Sequence, residues 1–129
     1  MSKGEPRDDA RRLSAKASED EAAVRALLEA SEVSDPIVGF HAQQAVEKLI
    51  KSALAHEGIA YPRTHDIAHL IDLLREAGVE PKIPVEDAID LTGWGALFRY
   101  NDPIDEKLDR FAALETVEAV RRWVEGRLA

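Results

Sequence analysis

The sequence predicts an all-α protein, an up-and-down bundle of four to five helices. Three observations carry that expectation. Of the 129 residues, 45% are hydrophobic and 33% charged, but only 5% are aromatic, so the core is aliphatic and the surface densely charged. Leu, Ile, Val and Ala recur at helical spacing, and no run alternates in the two-residue rhythm of a strand. The breaks between apolar runs carry helix signals: Asp35 and Pro36 at one start, Pro84 at another, Gly58 and Gly78 at ends. A chain of this length makes one domain.

Residues 1–17 are rich in Arg, Lys and Asp and poor in large apolar side chains, and are expected as a flexible or frayed segment ahead of a bundle spanning 18–129. Ser18 followed by Glu21 reads as a capping box. Alternatively, Ser18 is interior to a longer helix that starts near Pro6. Val24, Leu27 and Leu28 follow at helical spacing, and this helix is expected to end near Ala30. Asp35 caps the second helix, with Pro36 in its first position and Gly58 at its end. Thr64 caps the third, which carries Ile67, Leu70, Ile71 and Leu74 and stops at Gly78.

Pro84 opens the fourth helix, expected from Val85 to about Arg99. Its residues Val85, Ala88, Ile89, Leu91, Trp94, Ala96, Leu97 and Phe98 are apolar on most faces, which implies burial on several sides and a dimer interface as well as a core. Gly93 and Gly95 each lower helix propensity by about 1 kcal/mol relative to Ala, and are expected to admit another helix closely. Asn101, Asp102 and Pro103 break the chain. The fifth helix carries Leu114, Val117, Val120, Val124 and Leu128 as its stripe.

The formal net charge is −8, which repels polyanions at long range and argues against a broad nucleic-acid-coating surface. A local basic cleft remains compatible with that total. Cys is absent, so disulfides, thiol catalysis and Cys-based metal sites are excluded. The first residues lack the apolar stretch of a signal peptide, and no apolar run approaches membrane length. A cytoplasmic protein without membrane contact is expected. No cofactor motif is present, and neither is the Gly-Ser and paired-Asp pattern of a nucleotidyltransferase.

The segment Phe40 to Lys51 is the most informative. At about 100° per residue, Ala42, Val46, Leu49, Ile50 and Ala53 share one face, and His41, Gln44, Lys48, Lys51 and Ser52 share another. The first face packs into a bundle. The second is a row of donors and positive charge inside an acidic protein. Its bland reading is a solvated helix face with Glu47 and Glu57 nearby. The same residues, Phe40 through Lys48 with Lys51, resemble the signature helix of the HEPN domain family. Thr64, His65, Asp66 and Ile67 resemble the start of that family's next helix, and Arg99, Tyr100, Asn101 and Asp102 resemble its Arg-Tyr-Pro-Asp segment. The similarity covers roughly residues 18–128.

The resemblance implies a helical dimer that binds a nucleotide or RNA and works with a separate minimal nucleotidyltransferase in a two-component, toxin–antitoxin-like system. In the row that begins at His41, Lys48 and Lys51 can hold phosphates as point charges and Gln44 can bond a base or ribose, while Tyr100 can stack on a base or plug the bundle. The resemblance adds Arg99, at the position of the family's functional arginine, and His65, at a family motif position, and Tyr100 is an acceptor hydroxyl if the partner modifies this chain. Many family members are metal-independent ribonucleases that place a His after an Arg, with four to six residues between. Counted from Arg99, those positions are Ile104, Asp105 and Glu106, and no His follows His69. An endonuclease reading therefore rests on Arg99 with Asn101 or Asp102, without an imidazole whose pKa lies near neutrality. A third alternative is a structural helical adaptor without ligand.

Other candidates have plain readings. Arg99 at a helix end complements the helix dipole. His65 and His69 stand at i, i+4, but a third ligand such as Asp66 or Asp72 would be needed, and no metal is expected. His56 lies near a helix end. Trp94 and Trp123 are expected as core or dimer contacts, and Arg121, Arg122 and Arg127 as charges favoured at the end of the last helix.

Overall fold

Helical signals dominate the chain, and a computed structural model of it, which describes residues 6–95 and 107–129, is helical throughout its ordered elements. Helix α1 spans Pro6–Ala26, α2 Asp35–His56, α3 Ile67–Glu76, α4 Val85–Asp90 and α5 Arg110–Leu128, with a short 3-10 helix at Leu91–Trp94. No strand occurs among the described residues. No helix among them is long and apolar enough to cross a membrane.

The longer alternative for the first helix is the one observed. Ser18 lies inside α1 and its hydroxyl donates to the Ser14 carbonyl at 3.2 Å, so no capping box forms. Residues 6–17, expected to be frayed, are helical because Ala10 and Ala17 pack into the core. Ser52 of α2 donates to the Ala10 carbonyl at 2.6 Å, which ties the start of α1 to the end of α2. The two helices therefore run antiparallel, and α1–α2 is the broadest helix contact in the bundle.

Helix α2 is the axis of the fold, packing on α1, α3, α5 and the 3-10 helix. Its apolar stripe Ala42, Val46, Leu49, Ile50 and Ala53 is buried as expected. Gly58 ends the helix at φ 73°, while the Ile59 amide donates to the Leu54 carbonyl at 2.9 Å. Gly78 closes α3 in the same way at φ 83°. From α5, Val117, Val120 and Val124 complete the core. Leu114 is also buried, and Leu128 lies at its edge.

Two caps differ from expectation. Thr64 does not cap α3; Asp66 does, accepting from the amides of Ala68 and His69 at 3.1 and 3.4 Å. The Thr64 hydroxyl instead accepts from the Asp66 amide. Asp35 does not cap α2 either. Its carboxylate accepts from the Leu108 amide at 3.1 Å and from Arg110 Nε at 2.9 Å, across the bundle. These two contacts, the backbone one first, hold the Asp35 carboxyl below its ordinary value.

Arg110 also donates to the carbonyls of Leu27 at 2.6 Å, Ala30 at 3.0 Å and Val33. One guanidinium from α5 thus gathers three carbonyls of the α1–α2 connection, just past the end of α1.

The fourth helix is shorter than expected. It tightens to 3-10 geometry at Leu91 and ends at Trp94, within a stretch where Thr92 and Gly93 are poor α-helix formers. The expected positions 96–99 lie outside the described residues. Ala88, Leu91 and Trp94 are buried within the bundle. The glycine that admits a close neighbour is Gly39 and not Gly93. A Cβ at 93 would meet nothing within 4 Å, whereas one at 39 would lie 2.6 Å from the Trp94 ring.

Gly39→Ala is therefore expected to destabilise the fold by about 1–3 kcal/mol, the usual cost of overpacking. Urea denaturation followed by Trp fluorescence measures it. An unchanged midpoint would mean that the Trp94 ring does not seat on α2 as described.

Candidate functional site

Two carboxylates organise the polar residues around α2. Glu47, in the sixth position after His41, is only 3% exposed. An unpaired carboxylate at such a site costs several kcal/mol, so donors must meet it. Lys51 Nζ reaches Oε2 at 2.8 Å, Gln43 Nε2 reaches Oε1 at 2.7 Å and His65 Nδ1 reaches Oε1 at 2.9 Å. Burial pushes this carboxyl up, but the three donors together outweigh burial and hold it below its ordinary value of 4.5. Lys51 and Gln43 each stand one turn from Glu47, so the helix repeat alone brings them within reach. His65 arrives from the connection before α3.

The second carboxylate is Asp20 of α1, which is 9% exposed. Its Oδ2 accepts from Lys48 Nζ at 2.7 Å and its Oδ1 from His41 Nδ1 at 3.0 Å. Gln44 Nε2 donates to Gln43 Oε1 at 2.8 Å, linking the two clusters along α2. The His41 ring meets the edge of Phe40 with centroids 5.7 Å apart, and Lys51 Nζ lies 5.8 Å from the centre of the Tyr61 ring.

His41, Gln44, Lys48, Lys51 and His65 therefore do converge on one side of α2. Their setting differs from expectation. They are half-buried or tethered, and each of the four cationic or imidazole groups already meets a carboxylate. Ser52 does not belong to the row, being fully buried against α1. His65 and His69 do not share a helical face, because α3 begins only at Ile67. Arg99, Tyr100, Asn101 and Asp102 lie outside the described residues.

Some organising residues escaped sequence reasoning. Glu47 stands in the motif, where the sequence suggests only a charge on a solvated face; its i, i+4 relation to Lys51 and Gln43 is the available signal. Asp20 carried no local signal, since its partners are 21 and 28 residues away. Outside the site, Arg121 does not serve its own helix end: Nε meets Glu21 of α1 at 2.9 Å, and Arg25 joins the same carboxylate at 2.8 Å. Arg127 stands in the last turn of α5, where a cation is favoured, and also crosses to Glu57 at 2.9 Å.

The arrangement is a helical bundle with imidazole, amide and ammonium groups drawn together on its central helix by buried carboxylates. Such groups are suited to anionic, hydrogen-bonding ligands. The sequence model of the HEPN domain matches residues 10–127, and the chain belongs to that family. At family level it is a nucleotide- or RNA-related module. Neither a curated protein nor a solved structure matches.

Because the folded Glu47 carboxyl is held below 4.5, its contribution to stability is complete above that pH and disappears as pH falls through the lowered value. Glu47→Gln is expected to lose about 1–3 kcal/mol near neutrality, with the gap to wild type narrowing as pH falls progressively below 4.5. Urea midpoints across that range test it. A gap that stays constant would show that Glu47 does not act as an ionised acceptor.

Proposed function

We propose that this chain is a cytoplasmic, homodimeric binding module for a nucleotide or RNA, acting with a separate nucleotidyltransferase in a two-component, toxin–antitoxin-like system. The observation that supports this reading is the convergence of His41, Gln44, Lys48, Lys51 and His65 along one helix of a HEPN family member. Lys48 and Lys51 offer ammonium groups to phosphate, and Gln44 offers donor and acceptor atoms to a base or ribose. The chain has no nucleotidyltransferase motif of its own, so nucleotidyl transfer belongs to a partner. In this reading the Tyr100 hydroxyl is the acceptor. Mass spectrometry after incubation with the co-purifying partner and ATP should then show added nucleotide mass, lost in Tyr100→Phe.

One observation favours the competing adaptor reading: the carboxylates already satisfy the row, as they would in a purely structural network. Thermal shift separates the two. A ligand bound only by the native state stabilises it by about 2.7 kcal/mol at 100 times its Kd. A nucleotide or short RNA is expected to raise Tm. A flat response across nucleotides and RNAs would leave the adaptor standing.

A further inference from the structure

We infer that Asp20 is a built-in anion occupying a phosphoryl site formed by His41 and Lys48, so that a phosphate-bearing ligand must displace it. This rests on the nucleotide- or RNA-binding reading above and names both the atoms of the site and the residue that sets its affinity. The geometry is that of an oxyanion bridging two donors. One oxygen meets the His41 imidazole at 3.0 Å and the other meets the Lys48 ammonium at 2.7 Å. A phosphoryl group presents oxygens to two donors in the same way.

The bridge is also made between helices. Asp20 stands on α1, whereas both donors stand on α2, seven residues and about two turns apart. No turn of α2 itself supplies the acid. The donors remain within reach of solvent: His41 and Lys48 side chains are 33% and 26% exposed, while Asp20 is 12%. A ligand can therefore reach both donors from solvent and take the place of the carboxylate between them. An ammonium has three donor hydrogens, and Asp20 engages Lys48 through one oxygen. The imidazole Nδ1 is turned to Asp20, which leaves Nε2 as the atom facing away from it.

The neighbouring Glu47 cluster does not invite the same reading. Glu47 is more deeply buried and is met by three donors, two of them from its own helix, so its role in holding the interior is sufficient. Gln44, linked to Gln43, lies between the clusters on α2 and is placed to contact a ribose or base once a phosphoryl group sits at His41 and Lys48.

Two ligand sources share this chemistry, a free nucleotide and a 5′-phosphorylated RNA end. The test measures binding of fluorescent ATP and of labelled RNA with and without a 5′-phosphate, to wild type, Asp20→Asn and Asp20→Asn with Lys48→Met. Circular dichroism melts establish that each is folded. Asp20→Asn is expected to bind the phosphorylated ligand about tenfold more tightly, with a steeper salt dependence, and Lys48→Met to abolish that gain. ATP alone gaining would identify a nucleotide site; only 5′-phosphorylated RNA gaining would identify an RNA end. A folded Asp20→Asn that binds no more tightly than a binding wild type overturns the inference and leaves the binding reading intact. Tight binding by Asp20→Asn alone supports the inference and overturns that reading for the native chain. Absence of binding in both overturns the two together. If Asp20→Asn does not fold, NMR of the wild-type histidines decides: titrating ATP should move the His41 signals and spare His56, and a stationary His41 overturns the inference.

Discussion

A carboxylate withdrawn from water has to be met by donors, and that requirement shapes the centre of this bundle. Glu47 is held in the interior by Lys51, Gln43 and His65. The first two come from the helix repeat. The third fixes where the α2–α3 connection must run, because His65 can reach Oε1 only if the chain turns back toward the middle of α2. Asp20 sets the register of α1 on α2 by the same logic, since one side chain has to satisfy itself against both His41 and Lys48. Apolar burial brings the helices together without direction. The buried acids add direction.

A second constraint acts at the other end of α1. The connection from α1 to α2 carries backbone carbonyls whose accepting capacity its own turns do not exhaust. Arg110 supplies the donors from α5 and is itself held by Asp35. Its planar fork allows one side chain to serve several acceptors at once, which an ammonium cannot do in the same geometry. The two ends of the bundle are thus secured differently, by a buried hydroxyl at Ser52 and by a guanidinium at Arg110.

Function follows from the way the charge is arranged. With a net charge of −8, the chain does not draw polyanions toward it from a distance. Under the proposed reading, recognition of a nucleotide or RNA has to come from short-range contacts in a confined place. The polar side of α2 is such a place, but its positive groups are answered by the protein's own acids. Under the proposed reading, a phosphate entering there competes with a carboxylate. Such a competition lowers affinity and favours ligands that make several contacts at once over simple anions.

The helices were largely legible because they are written in local terms. Aliphatic spacing marked the core faces of α2, α3 and α5, and Gly58 and Gly78 marked their ends. The side chains that gather along α2 stood in recognisable segments too: His41, Gln44, Lys48, Lys51 and His65. Their state was not legible. Periodicity assigns a face to a residue but says nothing of what another helix places opposite it, so Asp20 was invisible as a partner and Glu47 passed for surface charge. The same blindness misplaced the Asp35 cap, because Asp35 was claimed by Arg110 from 75 residues away. It also assigned close packing to Gly93, when the Trp94 ring sits on Gly39. By itself, then, the sequence determined most helix positions, the aliphatic core and, Ser52 apart, which polar residues of α2 share a face, all of which depend on neighbours within a few turns. Only tertiary structure decided which charges cancel and which glycine is needed, because both depend on atoms that meet from distant parts of the chain.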